Sequence, residues 1–188
     1  NMLLGNIASA FDIKGEDTKI MESYGKGVGE QLLLARRLVE RGTKFVTVQY
    51  GGWDMHSNIS TALKGKVPPI DKALTALIND IYNKGMNKNV MVVVTGEFGR
   101  TYKINANSGR DHWPRLSPLM ISGGDFSMGH AIGESTSKAE EPKTEPFNPQ
   151  NLTATLLKHF GIDQNTIRND MAGRPRYFVD VGTRPIIV

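Results

Sequence analysis

The chain contains no cysteine, which excludes disulfides, thiolate metal sites and a cysteine nucleophile, so any metal must be held by oxygen and nitrogen. Long apolar runs are also missing. Nothing approaches the roughly 20 consecutive apolar residues of a membrane span, and the first residues lack the basic-then-apolar pattern of an export signal. Charge of one sign is scarce too: 23 Lys and Arg stand against 19 Asp and Glu, a net charge of +4, with the basic residues scattered among the acids. Such interleaving reads as a solvated surface, so nucleic acid is not an expected partner. The remaining balance, 39% hydrophobic and 22% charged, is that of a folded globular chain rather than a disordered one. With 188 residues there is material for one well-buried core, and a single domain over 1–188 is expected.

The opening stretch through Gly29 is rich in Gly, Lys, Asp and Glu, and Leu3, Leu4, Ile7 and Phe11 predict one short helix there. From Glu30 to Glu40, Leu32, Leu33, Ala35, Leu38 and Val39 recur near helical spacing, and Gly42 supplies a stop. The apolar run Phe45 to Tyr50 then reads as a buried strand. Beyond Val67-Pro68-Pro69, the positions Ile70, Leu74, Leu77, Ile78 and Ile81 predict an amphipathic helix from Ile70 to Lys84, ended by Gly85 and followed by a strand from Val90 to Thr95. Helix, strand, helix, strand is the order of an α/β fold, with a mostly parallel sheet sandwiched by helices. The continuous Val run fits a central strand covered on both faces. Leu119 to Ser122 reads as a further short strand closed by Gly123-Gly124, and residues 125–150 as a long polar loop or loose hairpin. Asn151 to Phe160 is an expected helix with Gly161 as its stop, and Tyr177 to Val188 is expected to add one or two edge strands.

Three short loops carry the residues suited to chemistry. Gly51-Gly52-Trp53-Asp54-Met55-His56 follows the first expected strand, Gly96-Glu97-Phe98-Gly99-Arg100-Thr101 follows the second, and Gly109-Arg110-Asp111-His112-Trp113-Pro114 precedes the third. In a parallel α/β sheet, ligands bind beyond the carboxyl ends of the strands, which is where Asp54, His56 and Glu97 would fall. Each residue has two readings. Asp54 and His56 either face one cation or cap a turn and pack on Trp53. Glu97, ending a very apolar strand, is expected to be partly desolvated and to need a cation or a salt bridge to Arg100 or Arg110. Asp111 either orients His112 or caps a turn, while His112 either ligates metal or stacks near Trp113. Arg100 and Arg110 either clamp a sulfate or phosphate or pair structurally with Glu97 or Asp111. His130, in the polar stretch, is a weaker candidate, and His159, inside a helix, reads as structural. Two His with carboxylates, no Cys and open positions for water match the ligand sets of hydrolytic Zn, Mn or Fe sites, and one ion fits them better than two.

These three motifs, with Asn151-Leu-Thr-Ala-Thr-Leu-Leu-Lys-His-Phe-Gly-Ile162, resemble the signature of the DUF1501 family, over most of the chain from about Leu33 to Val188. That family is grouped with the alkaline phosphatase and sulfatase superfamily. The resemblance implies an alkaline-phosphatase-like α/β fold with a metal centre at the carboxyl edge of its sheet, hydrolysing sulfate or phosphate esters of a small molecule or glycan. By it, Asp54, His56 and His112 match the Asp and two His that hold one metal, and Glu97 matches an acidic ligand to a second. Phe98 stands where the superfamily commonly has the His of an Asp-His pair. The superfamily's first strand, with its nucleophile, has no counterpart here, so the resemblance implies a carboxyl-terminal portion lacking the amino-terminal part of the fold, in an extracytoplasmic location. The expected metal ligands are therefore Asp54, His56, Glu97 and His112, and the expected catalytic residues Arg100, Arg110 and Asp111. The expected cofactor is a divalent metal, Zn, Mn or Ca. The alternative is a non-catalytic metal- or anion-binding module that recognises sulfated or phosphorylated glycans, which Phe98 and the missing nucleophile favour.

Overall fold

The computed structural model describes residues 7–187, so Leu3, Leu4 and Val188 of the expected terminal elements lie outside them. The chain forms two compact units, one of residues 1–90 and 100–113, the other of residues 91–99 and 114–188.

The first unit is helical. Two 3-10 turns, Ser9–Phe11 and Ile13–Gly15, lead into α1 (Thr18–Tyr24), α2 (Val28–Glu40) and α3 (Ile59–Asn83). Asp17 starts α1, its Oδ1 accepting from the Lys19 N–H at 2.7 Å, a bond that satisfies a donor with no partner inside the helix. Val28, Leu32 and Leu33 of α2, Ala73, Leu77 and Ile81 of α3, and Tyr24 of α1 are buried and make the core. The four-residue steps from Val28 to Leu32 and along Ala73, Leu77 and Ile81 place these side chains on one face of α2 and of α3. Gly42 closes α2 with φ of +92°, its N–H donating to Val39 O at 2.9 Å. A side chain there would be strained in that left-handed conformation.

A charge sits within this core. Arg36 is only 3% exposed. Its Nη2 lies 2.6 Å from Glu16 Oε2, its Nη1 2.6 Å from Glu40 Oε2 and its Nε 2.9 Å from Asp80 Oδ2. Arg37 adds a second contact to Glu16 at 2.9 Å, and the Tyr24 hydroxyl donates to Asp80 at 3.1 Å. One guanidinium thus ties together the segment before α1, α2 itself and α3. Burial pushes the Glu16 carboxyl up, but hydrogen bonds and charge from Arg37 and Arg36 outweigh it and leave it below the usual carboxylate range. Burial first, and Asp80 second, push the Tyr24 phenol up.

Among the described residues there are six short strands: β1 (Met91–Thr95), β2 (Gly99–Arg100), β3 (His112–Trp113), β4 (Leu119–Gly123), β5 (Ile167–Asn169) and β6 (Pro175–Tyr177). They pair as β1 with β4, β2 with β3 and β5 with β6. β1 and β4 are antiparallel, with Met91 opposite Gly123 and Thr95 opposite Leu119. In the second unit α4 (Pro149–His159) is capped by Asn148, whose side chain accepts from Gln150 N. Thr155 of α4 is fully buried and pins the tail: its hydroxyl donates to Asn151 O and accepts from Ile186 N, both at 2.8 Å. Asn151 also holds the tail, its amide donating to Arg184 O at 2.9 Å.

The expected parallel sheet sandwiched by helices is therefore corrected to four α-helices and short antiparallel strand pairs among the described residues. Parallel strands need a long crossover, usually a helix. Residues 96–118, between β1 and β4, contain no helix, so β4 returns antiparallel. The expected central strand is also only half-buried along β1. Phe45 to Tyr50 forms no strand, and Phe45 is 62% exposed. Apolar alternation marks a surface fit for pairing, but a strand exists only where another backbone meets it. The helix expected from Ile70 begins at Ile59 and runs through Pro68 and Pro69, because the missing proline donors remove two internal bonds without ending the apolar face. The loose hairpin expected in 125–150 is seen as an isolated bridge between Ser135 and Pro142. The tail strands are replaced by the β5–β6 hairpin, which lies earlier in the chain. No helix among the described residues is long and apolar enough to cross a membrane.

Removing the buried guanidinium leaves Glu16 to Arg37, Glu40 to Lys84 and Asp80 to the Tyr24 hydroxyl, a weaker set of partners, so Arg36→Ala is expected to cost about 3–5 kcal/mol of stability in urea denaturation. A loss below about 1 kcal/mol would show that the network is not a structural tie. Because Glu16 titrates lower when folded than when unfolded, its contribution is full above the unfolded value and is lost as pH falls through the folded one. Glu16→Gln should then flatten the acid side of a stability-against-pH curve.

Candidate metal centre

The first unit brings two distant loops together by backbone pairing. Arg110 N–H donates to Met55 O at 3.1 Å, Asn58 N–H to Asn107 O at 3.0 Å and Ile59 N–H to Ser108 O at 2.9 Å, around a bridge between Ser57 and Ser108. Met55 is buried, which leaves its neighbours Asp54 and His56 at the surface. The approach is close enough to require glycine at 109: a Cβ there would lie 2.0 Å from the His56 carbonyl carbon, well inside contact distance. His112 is thereby carried to Asp54.

Three ligand atoms converge as a result. Asp54 Oδ1 lies 2.8 Å from His112 Nε2 and 3.0 Å from His56 Nε2, and the two Nε2 atoms are 3.2 Å apart. A tetrahedral ion with N and O ligands at about 2.0–2.1 Å sets those ligand atoms about 3.3 Å apart. The triangle is tighter than one face of such a coordination sphere by up to about 0.5 Å and would open slightly to admit an ion, and its residue types suit borderline divalent ions. All three residues are exposed, which leaves the opposite face open to solvent.

A family model described as "Protein of unknown function (DUF1501)" matches residues 3–187, nearly the whole chain. The chain belongs to the DUF1501 family. No curated protein and no solved structure matches it. In this DUF1501 chain the motif residues find their places as follows.

Asp54, His56 and His112 come together, as the sequence motifs predict. Glu97 belongs to the second unit, two residues beyond the end of β1, and is exposed rather than desolvated. Arg100 meets neither Glu97 nor Asp111 in a salt bridge; its Nη2 donates to Asp54 Oδ1 at 2.6 Å and to Trp53 O at 3.1 Å. The His112 hydrogen bond first, then that of Arg100, hold the Asp54 carboxyl far below the usual carboxylate range. Arg110 is committed to the backbone, its guanidinium donating to Thr101 O. Asp111 pairs with His56 instead of His112, its Oδ1 2.9 Å from His56 Nδ1. That bond, followed by one from Asn105, lowers the Asp111 carboxyl. His130 lies against Ser127 Oγ at 2.9 Å, and the His159 ring lies at a tilt to those of Phe126 and Phe160.

Sequence reasoning missed Asn105 and Thr101. The Asn105 amide donates to His56 O and to Asp111 Oδ1, each at 3.1 Å. The Thr101 hydroxyl accepts from Asp111 N–H at 3.1 Å while its own N–H donates to Asp111 O at 2.9 Å. The only signal was the run Asn105-Ala-Asn107-Ser-Gly109, which reads as a tight turn and says nothing of what its side chains hold.

Gly109→Ala is expected to destabilise the protein by about 1–3 kcal/mol through this overlap, with the His56 resonances shifted in NMR spectra. Gly51→Ala in the neighbouring loop is the control, since a Cβ there meets nothing within 4 Å. Equal thermal midpoints for the two variants would contradict the close approach.

Proposed function

We propose that this chain binds a divalent cation through Asp54, His56 and His112 and serves in the hydrolysis of sulfate or phosphate esters, in the manner of the alkaline phosphatase and sulfatase superfamily. The observation that carries the reading is the triangle of one carboxylate oxygen and two imidazole nitrogens at 2.8, 3.0 and 3.2 Å. A cation bound there supplies Lewis-acid polarisation of an ester oxygen or a water acidic enough to attack. The chain's own residues supply the rest. Arg100 lies on the same Asp54 oxygen and offers its remaining N–H groups to an anionic ester, for which the planar guanidinium is suited. Its bonds to Trp53 O and Arg110 O fix the direction in which that charge is presented. Arg110, held on Thr101 O, supports the loop in this reading and does not contact substrate.

A second reading keeps the metal or anion site but dispenses with turnover: a module recognising sulfated or phosphorylated glycans. It is favoured by the openness of the site, where the side chains of Asp54, His56 and His112 are 65%, 46% and 48% exposed, so that a bulky chain can reach them.

Elemental analysis of purified protein dialysed against Zn2+ or Mn2+ should show about one ion per chain, falling to background in Asp54→Ala and His112→Ala. Aryl sulfate or aryl phosphate should be turned over by the loaded protein, with kcat/KM reduced about 100-fold or more in Arg100→Ala. Metal-dependent retention on a sulfated glycan resin without turnover would favour the binding module. Protein that takes up no metal and turns over neither ester sinks both the cation site and the hydrolase.

A further inference from the structure

We propose that Asn105 and Asp111 are a positioning pair that holds His56 in the tautomer protonated at Nδ1, with the Nε2 lone pair aimed into the Asp54, His56, His112 triangle. This deepens the metal-binding reading and rests on it. An ionised carboxylate only accepts hydrogen bonds, so the 2.9 Å contact between Asp111 Oδ1 and His56 Nδ1 requires the proton to be on Nδ1. A neutral imidazole that donates from Nδ1 carries its lone pair at Nε2, and Nε2 is the atom 3.0 Å from Asp54 Oδ1. In that contact a proton or a cation must lie between the nitrogen and the carboxylate oxygen, and a bound cation takes the proton's place. A carboxylate behind a metal-bound imidazole fixes the ring and raises its basicity.

Asn105 makes the arrangement rigid. Its Nδ2 donates to His56 O and to Asp111 Oδ1, each at 3.1 Å, so one amide group grips both the backbone of the ligand residue and the carboxylate that orients its ring. Its Oδ1 accepts from Asn107 N–H at 3.0 Å and Gly109 N–H at 2.9 Å. Two backbone donors on one side and two acceptors on the other leave a single consistent orientation of the amide, with both its donors and both its lone pairs engaged. Closing the turn from Asn105 to Gly109 needs only the Oδ1 contacts and the backbone bond from Asn105 N–H to Gly109 O at 2.8 Å. The Nδ2 contacts go beyond that need and serve the metal ligand.

Asn105→Asp separates the two tasks, because it keeps an acceptor for Asn107 and Gly109 and replaces the donor with a carboxylate oxygen. Asp111→Asn keeps the shape and removes the charge that selects the tautomer. In the metal-free full chain, long-range 15N–1H NMR should show wild-type His56 protonated at Nδ1, and Asp111→Asn should shift it toward Nε2–H. Competition with a chromophoric chelator should show Zn2+ bound about 10- to 100-fold more weakly by both variants, with thermal midpoints of the metal-free proteins close to wild type. A wild-type His56 with no proton at Nδ1 overturns the proposal whatever the metal result. Wild-type affinity in both variants also overturns it, while leaving the metal site standing. A wild type that binds no Zn2+ defeats the metal reading instead, and the tautomer measurement still decides the pair. Should Asn105→Asp fail to fold, Asp111→Asn carries both measurements.

Discussion

The site depends on one carboxylate oxygen. Asp54 Oδ1 has nitrogen atoms of Arg100, His112 and His56 at 2.6, 2.8 and 3.0 Å, and those side chains come from three separate stretches of the chain. An exposed carboxylate gathers neighbours this densely only if its surroundings are held in place, because long side chains at a surface lose more entropy than a single screened contact returns. What holds them is backbone pairing between residues 55–59 and 107–110, together with the ladder joining Arg100's strand to His112's. The polar cluster is set by main-chain hydrogen bonds, and its side chains are then aligned by Asp111, Asn105 and Thr101.

The same unit contains a second charge cluster with the opposite physics. Around Arg36 the carboxylates are removed from water, and the guanidinium serves to neutralise them and to join helices. Around Asp54 the groups remain wet and the donors of electron pairs face one another. Buried charges compensated within the protein make a structural tie. Around Asp54 the exposed carboxylate is compensated by hydrogen bonds from His112 and Arg100 and stays accessible from solvent. That contrast supports a functional reading of the Asp54 cluster without appeal to fold.

Legibility in the sequence tracked how local each feature is. The α2 helix and the α4 helix were readable within two residues at either end, because helical spacing and the Gly42 and Gly161 stops are properties of adjacent residues. The first half of α3 was hidden behind Pro68-Pro69, which read as a break although the helix continues through them. Strand direction was not readable. The Val run of β1 is the same string whether its partner runs parallel or antiparallel, and only the helix-free connection to β4 decides. Among the site residues, Asp54, His56 and His112 stood out as ligand types in glycine-rich loops. The partner of Asp111 could not be read, since proximity in sequence pointed to His112 and the fold put His56, 55 residues away, beside it.

By itself the sequence determined the available chemistry: no thiolate, a small set of His and carboxylate ligands placed in three loops, and membership of a family recognisable from those loops. The tertiary structure decided which of these residues meet. Glycine at 109 allows two backbones to approach more closely than any side chain would permit, and the paired loops then bring an Asp, two His and an Arg to one point. Composition and spacing specify donors and acceptors, but a coordination geometry is a set of distances between atoms far apart in the chain, and those distances exist only once the backbone has paired.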